Sequence, residues 1–272
     1  MIKVEGRQIA DKILAELRAE VSQLKNKPRL AAVLIGDNIE FKKFVELKGR
    51  VAESVGIIFN MYQFPETITT EDLSGEILKI SENSDGALIE LPLPGHIDQQ
   101  KILNIIPPEK DVDVLSDEAQ QLFYENKSVI NPPAVEALKV VLDEYGINLV
   151  GKTAAVFGQG ILVGKPVSHW LEQNGVEVHK IRSKTENPEK FSREANIIVA
   201  GVGKSDLVIG SMVKDGAIVI DFGYGKKDGK MVGDVDYDSV TLKASLITPV
   251  PGGMGPILIA AVLKNLIILN EK

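Results

Sequence analysis

The chain contains no cysteine among its 272 residues. That excludes disulfides, thiolate metal sites and a cysteine nucleophile. Histidine is almost as scarce. His96, His169 and His179 are not spaced as ligands with a second histidine or a suitable carboxylate, so no metal site is expected. Positive charge is in deficit: 31 Lys and Arg against 38 Asp and Glu leave a formal net charge of -7. Nucleic acid and anionic membrane, which favour a basic excess, are therefore not expected partners. An anionic ligand would need locally placed Lys or Arg. Long apolar runs are also missing. The longest, Ile257 to Leu263, is too short to span a bilayer. The opening Met1-Ile2-Lys3-Val4-Glu5-Gly6-Arg7 has no secretory-type apolar stretch. These absences fit a cytoplasmic protein.

What is present is a composition that can fold around a sizeable core, 44% hydrophobic and 25% charged, at a length suited to one large domain or two ordinary ones. Leu30 to Ile35 is a continuous apolar run ended by Gly36-Asp37-Asn38, which reads as a buried strand and turn. A helix to about Glu53, a strand from Gly56 to Tyr62, a helix capped at Thr69 and a strand from Gly86 to Leu91 follow. A second series begins near Gly151, with strands at 154–157, 176–181, 197–200 and 217–221. A helix from Pro133 to Gly146 separates the two series. The alternation implies an α/β protein with parallel sheets covered on both faces. The sequence divides into a first domain, 1–133, completed by a C-terminal helix over 256–272, and a second domain, 134–255. That last helix is apolar on every side through Leu263, which predicts burial against the first domain.

Gly158-Gln159-Gly160-Ile161-Leu162-Val163-Gly164 falls between a strand and a helix. Small residues there let a pyrophosphate approach the backbone at a helix N-terminus, as in Rossmann-type dinucleotide-binding domains. The spacing is G-x-G-x-x-x-G rather than G-x-G-x-x-G, and a tight turn alone would explain it. An NAD site would carry an acid about 20 residues on. Here the next strand ends in Arg182-Ser183-Lys184-Thr185, which favours NADP through its 2′-phosphate.

Six segments together resemble the methylenetetrahydrofolate dehydrogenase/cyclohydrolase family. Gly36-Asp37-Asn38 followed by Phe44-Val45-Glu46-Leu47-Lys48 is similar to that family's Tyr-x-x-x-Lys helix. Ile89-Glu90-Leu91-Pro92-Leu93-Pro94 is similar to Val-Gln-Leu-Pro-Leu-Pro, and Lys110-Asp111-Val112-Asp113-Val114 to Lys-Asp-Val-Asp-Gly. The glycine loop, the 182–185 strand end and Pro249-Val250-Pro251-Gly252-Gly253-Met254-Gly255-Pro256 complete the set in order. Gly6 to Ala10 also resembles the family's opening helix.

The resemblance implies two α/β domains with a cleft between them. It implies NADP-dependent oxidation of 5,10-methylenetetrahydrofolate and, in many members, hydrolysis to 10-formyltetrahydrofolate, within the one-carbon metabolism that serves purine biosynthesis. It also implies a homodimer. Carried over by position, Lys48 is the catalytic lysine and Asp113 holds the pterin, with Phe44 and Glu90 beside them. Gly158, Gln159, Gly160, Arg182, Ser183 and Tyr224 bind the cofactor; Pro251, Gly252, Gly253 and Gly255 line the folate site.

The departures matter. Phe44 lacks the family's tyrosine hydroxyl, and Glu90 replaces a glutamine. An ionised Glu90 within about 4–6 Å of Lys48 favours the ammonium, a poor general base. Hydride transfer needs alignment rather than a free amine, so the dehydrogenase is expected to survive and the cyclohydrolase to weaken. The opposing reading gives Glu90 the base role. Gln159 replaces an arginine, which lessens the support for NADP, while Asp111 is expected to shape a turn. Two alternatives stay open: another NADP-linked dehydrogenase of shikimate type, and a catalytically silent folate- or nucleotide-binding protein.

Overall fold

The computed structural model describes residues 1–227 and 229–271. The elements begin with β1 (Ile2–Lys3), α1 (Gly6–Gln23), β2 (Arg29–Ile35), α2 (Ile39–Ser54), β3 (Ile58–Phe64), α3 (Thr70–Glu82) and β4 (Gly86–Ile89). Short helices α4 (Gln99–Leu103) and α5 (Asp117–Tyr124) precede α6 (Pro133–Glu144), β5 (Thr153–Phe157), α7 (Gly164–Gln173), β6 (Glu177–Ile181), α8 (Pro188–Glu194) and β7 (Ile197–Ala200). Then come β8 (Ile218–Asp221), β9 (Gly225–Lys227), β10 (Lys230–Val232), α9 (Tyr237–Val240), β11 (Leu246–Ile247) and α10 (Met254–Asn270). The chain divides into two compact units, one of residues 12–133 with the residues from Ile259 on, the other of 1–11 with 134–258.

In the first unit three parallel strands lie in the order β3-β2-β4. Every residue of β2 after Arg29, and all of β4, is buried. That continuous apolar run is what a parallel strand covered on both faces requires. The helix after β2 starts where its orphan donors are met: the Asn38 side chain accepts from the N–H groups of Glu40 and Phe41 at 2.9 and 3.3 Å. Thr69 caps α3 in the same way, accepting from Asp72 N–H at 3.1 Å. The strand read over 86–91 stops at Ile89, although the Glu90 N–H still donates to the Val33 carbonyl at 2.9 Å.

The distal part of α10 completes this unit, as its all-round apolar character predicts. Ala260, Leu263 and Leu266 are buried, and the Leu266 side chain occupies the space a Cβ on Gly86 would need. Asn265, 2% exposed, donates to the carbonyls of Val112 and Asn131 at 2.9 and 2.8 Å. The helix begins at Met254, two residues before the proline that marks it in the sequence, and Lys272 lies outside the described residues.

The second unit is a parallel sheet in the order β1-β11-β8-β7-β5-β6. Strands β7 and β8 are buried throughout. β9 and β10 form a separate antiparallel hairpin. The N-terminal eleven residues, placed in the first domain by the sequence reading, belong here, because Ile2 and Lys3 pair with Leu246 and Ile247. A two-residue strand has no periodicity to read, and its partner lies far along the chain.

Replacing Asn265 with leucine leaves two buried carbonyls without their donor, so the variant should lose about 2–4 kcal/mol of stability. Urea unfolding measures this; an unchanged midpoint would contradict the assignment.

Candidate active site

In the first unit, α2 carries Phe44 and Lys48 one turn apart on one face. Their neighbour Glu90 leaves the end of β4. Lys48 Nζ donates to Glu90 Oε2 at 2.6 Å, and the two side chains are only 17% and 13% exposed. In a low-dielectric setting that is a short, charge-assisted contact.

Asp113 joins this pair. Its carboxyl is pushed up to about 7, first by burial and further by the negative charges of Asp111 and Glu90, while the Lys48 ammonium pulls it down. Lys48 thus hydrogen-bonds one carboxylate, that of Glu90, and acts on a second, that of Asp113, through its charge. Among the described residues no protein group donates a hydrogen bond to the Asp113 carboxylate. Its acceptor positions remain available to a ligand.

The loop that presents Asp113 is built by its neighbour. Asp111 is buried, and its Oδ2 accepts the N–H groups of Leu115 and Ser116 at 2.8 and 2.7 Å. Burial raises its carboxyl, and these donors partly offset the rise. Asp111 thus shapes the turn, as the sequence indicates. Inside that turn Val114 has φ 58 and is 2% exposed. A β-branched residue is costly in the left-handed region, where glycine is at ease. This strained position, immediately after Asp113, is the one at which the resembling Lys-Asp-Val-Asp-Gly segment carries glycine.

In the second unit the glycine turn follows β5. Gly164 opens α7 so close to the turn that a Cβ there would meet the Gly158 carbonyl oxygen at 2.0 Å, which only glycine permits. Gln159 folds back on its own loop, donating to the Gly158 carbonyl at 2.7 Å and the Ser168 hydroxyl at 3.2 Å. At the end of β6 the Arg182 N–H donates to Thr185 Oγ1 at 2.9 Å and the Thr185 N–H returns to the Arg182 carbonyl at 3.0 Å. That turn leaves the side chains of Arg182 and Ser183 exposed. No carboxylate occupies this strand end. The residues present therefore suit a nucleotide with a 2′-phosphate. Tyr224 lies in the loop after β8, half-buried. Gly252 has φ 97, and Gly253 donates to the Pro249 carbonyl at 2.8 Å within the Pro-Val-Pro-Gly-Gly segment. The structure thus brings Lys48, Glu90 and Asp113 together in one unit, and the glycine turn and basic strand end together in the other. Among the described residues no group of three or more His, Cys, Asp or Glu could hold a metal.

The chain is similar to known proteins along nearly its whole length. Residues 4–113 match the family model for the tetrahydrofolate dehydrogenase/cyclohydrolase catalytic domain, and residues 132–272 match the model for its NAD(P)-binding domain. The Bifunctional protein FolD of Nautilia profundicola is 40% identical over 97% of this chain and 95% of its own length. The bifunctional enzyme FolD of Campylobacter jejuni superimposes with a TM-score of 0.95 at 33% identity, covering 100% of this chain and 99% of that one. The Trypanosoma brucei FolD, solved with NADP cofactor and inhibitor, gives a TM-score of 0.94 at 31% identity, covering 98% and 96% of the two chains.

The raised Asp113 carboxyl makes a further expectation. Between the ordinary carboxylate value and about 7, the folded state holds a proton the unfolded state has released. Stability therefore falls as pH climbs through that window. Asn at 113 carries no such penalty. Asp113→Asn should raise Tm by roughly 2–6 °C at neutral pH, with the gain over wild type shrinking as pH drops toward 4. Calorimetric scans across pH read this directly; a variant that melts lower at every pH would refute it.

Proposed function

This chain belongs to the tetrahydrofolate dehydrogenase/cyclohydrolase family, and we propose that it oxidises 5,10-methylenetetrahydrofolate to 5,10-methenyltetrahydrofolate and hydrolyses that product to 10-formyltetrahydrofolate. NADP, when bound, supplies the hydride acceptor. One observation carries the reading: Lys48, Glu90 and Asp113 converge inside the unit matched by the family's catalytic-domain model.

The chemistry of each group supports its role. A pterin offers two N–H donors side by side along one edge, and a carboxylate accepts such a pair bidentately. Asp113, unclaimed by protein donors, suits that edge. Phe44, one turn before Lys48, offers an apolar ring to the pterin face but no hydroxyl. Arg182 and Ser183 suit the 2′-phosphate, Gly158 and Gly160 the pyrophosphate, and Tyr224 the nicotinamide half. Gln159 contributes no charge, and its amide is engaged by its own loop. The substrate-binding role of Pro251, Gly252, Gly253 and Gly255 rests on the family resemblance alone, as does the homodimer, while the cytoplasmic location rests on composition. With the family established, the shikimate-type alternative has no support left. A silent binding protein is disfavoured because the lysine and the pterin-binding acid are both retained.

Oxidation asks the protein to hold donor and acceptor in line and to exclude water. Hydrolysis asks more, since a base must take a proton from water as it adds to the methenyl carbon. Lys48 Nζ donates to Glu90 at 2.6 Å, a contact that must be given up before a free amine there could act as that base. The arrangement therefore favours oxidation over hydrolysis.

Assay of the purified protein with methylenetetrahydrofolate and each nicotinamide cofactor separately tests the whole reading. Turnover with NADP, at least tenfold preferred over NAD in kcat/KM, is expected; absence of turnover with both cofactors would sink it. Glu90→Gln then addresses hydrolysis. Freed of its carboxylate, Lys48 should raise the cyclohydrolase rate by about 10-fold or more, while the dehydrogenase rate stays within about threefold. A fall in hydrolysis would instead assign the base role to Glu90.

A further inference from the structure

Two buried acids of the second unit have no part in the chemistry above. Asp221, the last residue of β8, is 3% exposed and Asp234 is fully buried. Asp234 gathers the loop that follows β7: its Oδ2 accepts the N–H groups of Val202 and Gly203 at 2.5 and 3.2 Å, and its Oδ1 accepts that of Lys204 at 2.7 Å. Asp221 in turn holds Asp234. Its Oδ1 accepts the Asp234 N–H at 3.1 Å and its Oδ2 the Val235 N–H at 3.0 Å. The same Oδ1 accepts from Gly223 at 2.7 Å, fixing the loop that carries Tyr224. The Asp221 N–H donates to Thr248 Oγ1 at 2.7 Å. Packing is tight: a Cβ on Gly223 would meet Asp234 Oδ1 at 2.3 Å.

The position of these loops gives the network its meaning. In this sheet β5 has β6 on one side, with β7 and then β8 on the other. A dinucleotide lies across the carboxyl ends of such strands, its adenosine half toward the strand after the glycine turn and its other half on the opposite side. Arg182, at the end of β6, marks the adenosine side. The 201–204 and 222–224 loops, after β7 and β8, therefore border the nicotinamide side. The first also touches the glycine turn, since a Cβ on Gly158 would lie 2.9 Å from Val202 Cγ2.

We propose that Asp221 and Asp234 are positioning residues for the nicotinamide half of the cofactor, two carboxylates that clamp the 201–204 and 222–224 loops through their backbone N–H groups. This rests on the NADP reading above. The clamp needs acceptors. Burial raises both carboxyls, that of Asp221 to about 6 with the neighbouring Asp234 charge adding to the rise, while the backbone donors pull both back toward the ionised form. Protonation of Asp221 below about 6 removes an acceptor from this network.

Calorimetric titration separates the halves of the site. NADP and 2′,5′-ADP, which lacks the nicotinamide half, are titrated into wild type and Asp234→Asn. The variant replaces one acceptor oxygen with a donor facing backbone N–H groups. It should bind NADP at least tenfold more weakly, with the 2′,5′-ADP affinity within twofold of wild type. In wild type, the ratio of the NADP dissociation constant to that of 2′-phospho-ADP-ribose, which keeps the pyrophosphate and lacks only the nicotinamide, should rise as pH falls below about 6. The 2′-phosphate is the one phosphate that titrates there in either of these two ligands, so its contribution cancels. An unchanged NADP affinity, or equal weakening of both ligands, overturns the proposal. If Asp234→Asn is recovered unfolded, Thr248→Val, which removes only the acceptor for the Asp221 N–H, should give the same selective loss at about threefold. Wild type that binds neither ligand would defeat the cofactor reading itself, and this inference with it.

Discussion

A carboxylate taken out of water must find donors or give up its charge, and the loops of this protein are organised by that constraint. Asp111, Asp221 and Asp234 each meet it with backbone N–H groups, and each thereby folds a turn. Asp113 is the exception. Among the described residues no donor reaches it, and burial pushes its carboxyl up to about 7. The acids that shape the scaffold are satisfied internally, whereas the one left unsatisfied sits beside Lys48 and Glu90. That contrast separates framework from site, and in the first unit Lys48, Glu90, Asp111 and Asp113 are all partly or wholly buried.

The Lys48–Glu90 pair ties the two elements on which the first unit's site stands. α2 is started by Asn38, and β4 is fixed in register against β2, so the ammonium and the carboxylate are delivered from rigid parents. A glutamine in place of Glu90 could still accept a hydrogen bond from the lysine. It would not add a second negative charge near Asp113. The departure at 90 therefore acts on two neighbours together: it engages the amine and adds to the rise of the aspartate.

Much of this was legible in the sequence. Strands β2, β4, β7 and β8 announce themselves as unbroken apolar runs, because parallel strands are covered on both faces. The Asn38 and Thr69 caps were readable from local chemistry, and so was the turn-forming role of Asp111. Long-range pairings were not. β1 is two residues long and finds its partner near residue 246, a pairing no local pattern encodes. The Asp234 clamp was equally hidden, since its partners are main-chain groups some thirty positions earlier. Main chain carries no signature of residue type. Val114 shows the converse, a residue whose identity argues against the conformation it adopts, held there by the Asp111 turn.

The segment from Ile259 onward belongs to the unit whose sheet was completed more than 160 residues earlier. During synthesis, strands β2 to β4 leave the ribosome well before Asn265 arrives to bind the carbonyls beside Asp113. Until then Gly86 has no leucine against it and the Val112 carbonyl lacks its donor. Asp113 thus reaches its final surroundings only after the sheet of the second unit has been made, so the first unit matures after the second has been synthesised.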